Sequence, residues 1–341
     1  MTMQLLSDAP DSWNDQILQN PDGGTIFQSI EFAEQKARGG WIARYITDGT
    51  LSATVLEKSV PVLGKLWYLP KGPGVATAEQ LAQFTKDIQP LARTAGVFAV
   101  KVEPELPKET LLDIAALRPT APIQPNSSTV LVDISSNLDT VLASLNQKGR
   151  HAINRARRDG VTIERVDATD AHCRLFYDLL AETARGSFAI RPYEYYMAFW
   201  QTFAAQGMGQ LFFAVYNGQL VAGAYALVFG AKSTYKDGAS IRERTAYGAS
   251  HLLQWEVMAW AKARGSQLHD LCGAPPSNRI NDSTHPHYGI GRFKTSFNKT
   301  VTEYVGAYDI VIAPLRYNLW STIGEKLVKR WWWQVHHESW Y

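Results

Sequence analysis

The sequence has little of what marks extracellular or membrane-spanning proteins. Only two of its 341 residues, Cys173 and Cys272, are cysteines, which is too few for a disulfide framework and typical of a reducing compartment. No apolar run approaches the roughly 18 residues of a membrane-spanning helix. The first ten residues contain no basic segment followed by an apolar one, so no secretory leader is expected. These absences predict a cytoplasmic location, with the inner face of the membrane as an alternative.

Several catalytic signatures are also absent. The Pro/Gly-rich segment 70–74 lacks the Gly-Lys-Ser/Thr ending of a phosphate loop, and no Gly-x-Ser-x-Gly motif occurs. His269, His285 and His287, with Cys272, match no recognised metal-ligand spacing. We therefore expect neither a metal nor an organic cofactor.

What is present describes a globular chain with unevenly distributed charge. Apolar residues make up 45% of it and charged residues 19%, and its length is sufficient for two ordinary domains. Residues 1–140 hold 11 basic and 16 acidic residues, so residues 141–341 hold 34 − 11 = 23 and 32 − 16 = 16, a balance of +7. A basic second half favours a polyanionic partner. Ordinary variation between two domains is the alternative explanation.

The order of the predicted elements suggests two halves of similar architecture. In the first half, residues 43–102 read as three strands, a helix and a fourth strand. In the second half, an Asn-Gly hairpin spans 211–229, and helix 252–264 precedes a strand at 268–273. Strands, a helix and another strand, in this order, are typical of acyl-CoA N-acyltransferase (GNAT) domains. We therefore predict a mixed α/β (α+β) fold of two tandem GNAT-like domains.

The predicted domains are residues 1–135, completed by the C-terminal segment 313–341, and residues 136–312. Near its end the tail mixes lysine and arginine with tryptophan. That mixture suits a membrane interface or RNA, although a packed C-terminal helix is the simpler interpretation.

The stretch 287–297 carries the main candidate for catalysis. It contains Lys294 between Phe293 and Phe297, with glycines at 289 and 291. A lysine held between aromatic rings keeps its charge in a partly dry setting, where it acts strongly on a developing oxyanion. The alternative is a strand whose lysine faces solvent.

The chain resembles the Fem family (FemABX) of peptidoglycan bridge-forming aminoacyltransferases. The resemblance extends over about 27–312 and is most specific in the last third. The matching residues are Phe27-Gln28-Ser29 with Lys36, Gly238-Ala239-Ser240, Leu252-Leu253-Gln254-Trp255 with Trp260 and Ala261, Asp270 with Gly273, Tyr288-Gly289, Arg292-Phe293-Lys294, Phe297, and Glu303-Tyr304-Val305-Gly306. The resemblance implies transfer of an amino acid from aminoacyl-tRNA to the side chain of a cell-wall stem peptide. The connection at 186–192 is short, so the coiled-coil arm of some members is expected to be absent.

The resemblance also implies roles for individual residues. Lys294, Phe293 and Tyr235 are the expected catalytic residues, with Lys294 stabilising the oxyanion or the leaving oxygen. The expected substrate-binding residues are Lys36, Arg191, Asp237 and Tyr288. Among them, Lys36 and Arg191 would hold the diphosphate of the acceptor, which is UDP-MurNAc-pentapeptide or lipid II. Asp237 departs from the tyrosine that the family commonly has.

A basic run at 146–158 is the candidate tRNA-binding surface. It contains Lys148, Arg150, Arg155, Arg157 and Arg158, and contact with phosphates is expected of them. A solvated basic helix face is the alternative. We expect the protein to be a monomer. Two other functions stay open at this point, an N-acyltransferase that uses acyl-CoA and a small amine, and a non-catalytic protein that binds tRNA or the precursor.

Overall fold

The computed structural model of the chain describes residues 2–124, 127–185, 189–241 and 246–341. Within it the chain divides into two compact units. The first is Met1–Ser127 together with Tyr304–Tyr341, and the second is Ser128–Glu303.

The helices of the described residues are, in chain order, α1 Trp13–Leu18, α2 Ile30–Arg38, α3 Ala78–Thr94, α4 Leu138–Ser144, α5 Gln147–Arg158, α6 Asp170–Ala184, α7 Tyr193–Ala205, α8 Ala249–Ala263, α9 Tyr288–Lys294, α10 Pro314–Leu319 and α11 Glu325–His336. Short 3-10 turns lie at Ile26–Gln28 and Ser277–Arg279, and a π-helical turn, Trp320–Gly324, joins α10 to α11. In the part of the chain described, no helix is both long and apolar enough to cross a membrane.

The strands are β1 Gln4–Leu6, β2 Ile42–Thr47, β3 Ser52–Val60, β4 Gly64–Leu69, β5 Val97–Val102, β6 Leu117–Thr120, β7 Ser128–Thr129, β8 Leu131–Asp133, β9 Thr162–Val166, β10 Gly209–Tyr216, β11 Gln219–Phe229, β12 Lys232–Ser240, β13 Leu268–Asp270, β14 Thr302–Glu303 and β15 Ala307–Val311.

The first unit is built on a seven-stranded sheet with the order β1-β2-β3-β4-β5-β15-β6. Its one parallel pair is β4 with β5, and α3 connects them. The Thr77 side chain caps α3 by accepting a hydrogen bond from the Gln80 N–H. Leu81, Phe84 and Ile88 then recur at helical spacing and are buried in the core cluster that includes β5. The helix therefore covers the sheet with one apolar face.

The second unit is built on a six-stranded sheet with the order β8-β13-β12-β11-β10-β9. Here the parallel pair is β12 with β13, and α8 lies between them in the chain. The predicted hairpin is confirmed as β10 and β11. Both turn residues, Asn217 and Gly218, have the positive φ that such a two-residue turn requires, 51° and 76°.

Each unit thus contains one parallel strand pair, connected through a helix, in an otherwise antiparallel sheet. This confirms the predicted mixed α/β fold of tandem GNAT-like units. Helices α6 and α7 are joined by residues 185–192 alone, so the chain has no coiled-coil arm at this point.

The unit boundaries fall earlier in the chain than the predicted ones at 135 and 312. Residues 128–133 belong to the second unit because β7 and β8 pair with β14 and β13. Strand β15 belongs to the first unit because it pairs with β5 and β6. These are pairings between segments far apart in the chain, which local sequence patterns do not determine.

A close approach of α5 to the segment after α9 shapes the second unit. Gly149 lies against Ser296, and a methyl group at position 149 would overlap the carbonyl oxygen of Ser296. Glycine is therefore required for α5 to lie this close.

We predict that Gly149→Ala lowers the free energy of unfolding by about 1–3 kcal/mol, because the overlap outweighs the helix propensity gained. Gly289→Ala is the matched control. Gly289 is also helical, but a Cβ there would meet nothing within 4 Å, so stability should be unchanged or higher by up to about 1 kcal/mol. Urea unfolding of both variants tests this. Equal effects of the two substitutions would contradict the packing account.

Candidate functional site

Lys294 is the last residue of α9, and its side chain is buried. The residue is 8% exposed, and its Nζ donates hydrogen bonds of 2.8 Å to the carbonyl oxygens of Cys272 and Gly273. The ring centre of Tyr235 lies 6.0 Å from the same Nζ. Burial lowers the pKa of Lys294, while the Cys272 thiol and the Asp270 carboxylate act in the opposite direction. The alternative of a solvent-facing strand lysine is wrong.

The two carbonyls that accept from Lys294 belong to a turn after β13. Cys272 has a φ of 58°, in the left-handed region that favours glycine. The Oδ1 atom of Asp270 accepts hydrogen bonds from the Cys272 N–H, at 2.7 Å, and from the Thr129 hydroxyl. Asp270 and Gly273, which carry part of the family resemblance, thus position Lys294 through the backbone of this turn.

An irregularity in β12 determines the direction of the Tyr235 side chain. The register between β11 and β12 shifts at Lys236, which is an extra residue in the ladder, and such a bulge redirects the neighbouring side chains. The Tyr235 hydroxyl occupies the space that a Cβ at Gly238 would need, so Gly238 is required by packing. Burial, and next the Asp237 carboxylate, raise the pKa of Tyr235. The phenol therefore keeps its proton at neutral pH and can donate a hydrogen bond.

Asp237 belongs to a polar cluster that extends to Arg191. Its carboxylate accepts hydrogen bonds from Trp200 Nε1 at 3.0 Å and from Lys236 Nζ at 3.1 Å. Burial acts to lower the pKa of Lys236, but Asp237, Tyr195 and Tyr196 together outweigh burial and raise that pKa. Arg191 lies over the ring of Tyr195, with its Cζ 4.7 Å from the ring centre, and Tyr195 also acts on Lys236. In the second unit Lys294 thus lies beside Tyr235, Asp237 acts on both Tyr235 and Lys236, and Arg191 contacts Tyr195.

A separate cleft of about 1090 Å³ lies between α5, the start of α8 and α9. Its walls are aromatic and basic, with Lys148, Arg150, Tyr247, His251, Tyr288, Arg292 and Phe293 among the residues that line it. Lys294 is not one of them, because residues two apart on a helix, such as Arg292 and Lys294, point to opposite sides. The predicted site residues of α9 therefore divide between two faces of that helix.

Phe293 lies in this cleft and not beside the ammonium group, contrary to the expected arrangement. Its ring makes edge contacts with His251, at 5.0 Å between centres, and with Phe297 at 5.4 Å. The aromatic ring beside the Lys294 ammonium is that of Tyr235. Phe293 therefore builds the cleft wall.

His251, Tyr247 and Arg292 are cleft residues that sequence reasoning missed. His251 stacks on Phe297, and burial lowers its pKa to about 4, so its ring is neutral at pH 7. The sequence contained one signal for Arg292. It is four residues after Tyr288, so the two side chains share one face if the stretch is a helix. His251 lies in the first turn of α8, a position with no sequence signal of its own.

The first two cations of the basic run line the cleft. Lys148 is exposed there, and Asn146 caps the same helix by accepting a hydrogen bond from the Lys148 N–H. Arg150 also has a structural role, because its Nη1 donates hydrogen bonds to the carbonyl oxygens of Ala143 at 2.5 Å and Leu145 at 2.6 Å. Those carbonyls end α4, where a cation is favoured.

The other three cations of the run do not line the cleft. Arg155 contacts Asp159 at 3.2 Å, and Arg157 contacts Glu256 at 3.4 Å. Arg158 is exposed. The run is therefore not one uniform surface, and its five members have different surroundings.

Lys36 belongs to the first unit. It lies in the last turn of α2, whose first turn is capped by the Ser29 side chain. The residue is 8% exposed, and its Nζ lies 5.7 Å from the ring centre of Phe32. Its position at a helix C-terminus is one where a cation is favoured.

Acid should destabilise the second unit through two buried histidines. Burial lowers the pKa of His251 to about 4 and that of His269 to about 3, whereas an unfolded histidine titrates near 6.5. Between these values only the unfolded chain takes up the proton, so the free energy of unfolding falls as pH is lowered from about 6.5 to 4.

We predict that His251→Phe removes one of these two contributions, so that wild type loses about 1.4 kcal/mol per pH unit more than this variant between pH 6 and 4.5. Phenylalanine preserves the ring contacts with Phe293 and Phe297. His337→Asn, at an exposed position, should keep the wild-type slope. Urea unfolding at several pH values measures all three proteins, and identical slopes would contradict the burial of His251.

Comparison with known proteins identifies the family of the chain and gives relatives of similar length. The model of the FemAB family matches residues 115–218 and 209–325, more than half of the chain. A lipid II:glycine glycyltransferase of Staphylococcus aureus (strain MRSA252) is 23% identical to it over 405 aligned positions, which cover 93% of this chain and 95% of that protein.

Solved structures agree in fold. The crystal structure of FemX has a TM-score of 0.80 at 21% identity and covers 94% of this chain and 100% of that one. The structure of L-PGS from Bacillus licheniformis has a TM-score of 0.53 at 14% identity, with 93% and 98% covered. The family model matches more than half of the chain, and the fold agrees with it: the chain belongs to the FemAB family.

Proposed function

We propose that the protein transfers an amino acid from the 3′ end of an aminoacyl-tRNA to the side-chain amine of a peptidoglycan stem peptide, as in the formation of cross-bridges. The acceptor is carried on a UDP-linked or a lipid-linked precursor. The relatives named lipid II:glycine glycyltransferase support this class of acceptor. The protein would act as a monomer in the cytoplasm.

The observation that carries the proposal is the buried ammonium of Lys294. An ammonium has three N–H donors, and among the described residues two carbonyl oxygens accept from it. The third donor is available for an oxygen of the substrate. A buried positive charge interacts with a developing negative charge more strongly than an exposed one does. The ring of Tyr235 lies beside the same ammonium, with its centre 6.0 Å from the Lys294 Nζ, and lines the site.

These groups fit the chemistry of aminoacyl transfer. The acceptor amine attacks the ester carbonyl carbon, a C–N bond forms, and the carbonyl oxygen becomes an oxyanion. Lys294 donates to that oxyanion or to the ribose oxygen that leaves when the C–O bond breaks. The proton lost by the attacking nitrogen is equivalent to the one that the ribose oxygen gains, so the overall reaction needs no external acid or base.

The cleft beside α9 is the proposed place for the nucleotide end of the donor. Its basic residues Lys148 and Arg292 suit phosphates, and the rings of Tyr247, Tyr288 and Phe293 suit the faces of nucleobases. Arg191 keeps its proposed role in binding the acceptor's diphosphate. For Arg191 the guanidinium fork before Pro192 supports that role.

Transfer from acyl-CoA is the competing enzymatic function. It would place a pyrophosphate before α8, in a stretch of which residues 242–245 lie outside the described residues. The relatives' name, lipid II:glycine glycyltransferase, denotes transfer of an aminoacyl group, so the aminoacyl-tRNA donor is the better proposal.

We predict that Lys294→Met lowers kcat by about 10²–10³-fold, with the KM values for both substrates nearly unchanged, because its charge is needed only in the transition state. The assay follows labelled amino acid from aminoacyl-tRNA into the acceptor, with acyl-CoA as the competing donor. Turnover with acyl-CoA alone would reject the proposed donor.

Lys262→Met is the matched control for this experiment. Its Nζ also donates to two consecutive carbonyl oxygens, those of Ile134 and Ser135, at 3.1 Å and 2.9 Å. A loss of stability is thus common to both variants, and circular dichroism identifies a temperature at which both are folded. Lys262→Met should keep kcat within about twofold. An equal loss of turnover in the two variants would make Lys294 a structural residue only.

We predict that aminoacyl-tRNA binding weakens as the salt concentration rises. The double variant Lys148→Ala with Arg292→Ala should reduce the slope of log binding constant against log salt concentration by about 1.4 to 1.8, or about 0.7 to 0.9 for each phosphate that is no longer neutralised. Arg157→Ala with Arg158→Ala removes two charges from the same helix outside the cleft, so its slope should change little. Fluorescence titration at several salt concentrations measures both. If Arg157→Ala with Arg158→Ala changes the salt dependence more than Lys148→Ala with Arg292→Ala does, the donor binds along α5 and not in the cleft.

A further inference from the structure

The C-terminal helix of the first unit carries an apolar stripe on its outer side. Every fourth residue from 315 to 335 is a large apolar side chain, and each is between 48% and 87% exposed. The members of this apolar stripe are Leu315, Leu319, Ile323, Leu327, Trp331 and Val335. Trp333 is also exposed, but it lies on a different side of the helix from Trp331 and Val335. The surface has no role in the proposed transfer reaction.

The geometry of the helix keeps the stripe continuous. At 3.6 residues per turn, positions four apart drift around an α-helix. The π-helical turn Trp320–Gly324 has more residues per turn and reduces this drift midway along the stripe. Twenty residues at about 1.5 Å each make the stripe roughly 30 Å long. It is therefore an extended line on a convex surface and not a pocket.

The inner side of the same helix is fixed, so the stripe faces outward. Tyr317 and Trp320 are buried in a core cluster with Phe98. The Nζ of Lys58 lies 4.8 Å from the ring centre of Trp41, 5.0 Å from that of Trp332 and 5.0 Å from that of Trp340. It also donates to the Trp340 carbonyl oxygen. This cation–π arrangement attaches the end of the chain to the unit.

The charges around the stripe are basic. Residues 314–336 contain Arg316, Lys326, Lys329 and Arg330 against one acid, Glu325. The Glu325 carboxylate accepts hydrogen bonds from Lys329 Nζ at 2.6 Å and from the Tyr341 hydroxyl at 2.7 Å, so it is neutralised within the fold. Arg316, Lys326 and Arg330 are exposed.

We propose that the apolar stripe lies in the interface of an anionic lipid membrane, with the helix parallel to the surface. An apolar face containing tryptophan, flanked by lysine and arginine, is the composition that such interfacial helices have. Long basic side chains can reach the headgroups while their stems cover the apolar surface. The inference is independent of the transfer reaction.

The same surface fits other partners less well. Apart from Trp331, every member of the stripe is aliphatic, and aliphatic groups do not stack on nucleobases. A second copy of the chain would meet the stripe through a two-fold axis, which brings the basic residues of both copies together. An anionic lipid surface alone complements both the apolar stripe and its charges.

The test measures sedimentation of the full chain with vesicles that contain 30 mol% phosphatidylglycerol in phosphatidylcholine, and with pure phosphatidylcholine. Wild type should bind the anionic vesicles, with a blue shift of tryptophan fluorescence. Leu327→Gln with Trp331→Gln should weaken binding at least tenfold. Val62→Gln with Leu111→Gln is the matched control, since it alters two apolar side chains that are 95% and 89% exposed elsewhere in the same unit, and it should bind as wild type does.

Two further measurements separate the remaining outcomes. Lys326→Gln with Arg330→Gln should weaken anionic binding by about fivefold per charge, or roughly 25-fold together. All variants should transfer amino acid to a soluble acceptor within twofold of wild type, so failure of the membrane proposal is distinct from failure of the proposed function. Vesicle binding equal in the stripe variant and wild type would overturn the proposal. The proposal would also be overturned if the protein did not bind vesicles and the stripe residues were needed for dimerisation or for tRNA binding instead.

Discussion

The central physical constraint in this protein is the burial of one ammonium group. A charge removed from water is strongly disfavoured unless hydrogen bonds replace its hydration. At Lys294 two consecutive carbonyl oxygens do so, at 2.8 Å each. They can do so only because Cys272 adopts a left-handed conformation and Asp270 binds its N–H. The identity of several residues near β13 follows from this one requirement.

The fold supplies the positions that this arrangement needs. The parallel pair β12 and β13 brings Tyr235 on one strand near the turn that follows the other. A bulge at Lys236 and a glycine at 238 then give the Tyr235 ring its place. Lys294 lies on one face of helix α9, and the residues of this helix that line the cleft lie on the other. The charge that we assign to catalysis and the surface that we assign to the donor are therefore held by a single short helix.

Sequence patterns predicted the elements whose signals are local. The hairpin at Asn217-Gly218 and the helix–strand order of both units follow from turn chemistry and periodicity, and the structure contains them. Lys294 stands out through family resemblance, and composition alone could not have distinguished it from other lysines.

What the sequence could not predict depends on contacts between distant segments. Glycines at 289 and 291 obscure the helical character of α9, so the opposite directions of Lys294 and Arg292 were not foreseen. The hydrogen bonds from Arg150 to the end of α4, and the pairing of Arg157 with Glu256, divide a basic run that looks uniform in the sequence. The unit boundaries likewise depend on which strands pair, and the burial of His251 on the packing of α8 against the residues around Phe297.

The most direct test of the central claim replaces the Lys294 charge chemically. Lys294→Cys is made in a Cys272→Ala background, in which Cys173 remains buried and burial raises the pKa of its thiol to about 11. Alkylation with 2-bromoethylamine adds an ammonium on a side chain of lysine-like length, and alkylation with iodoacetamide adds a neutral amide. Aminoacyl transfer should be restored by the first reagent and not by the second. Equal activity after both treatments, or full activity of the unmodified variant, would contradict the account.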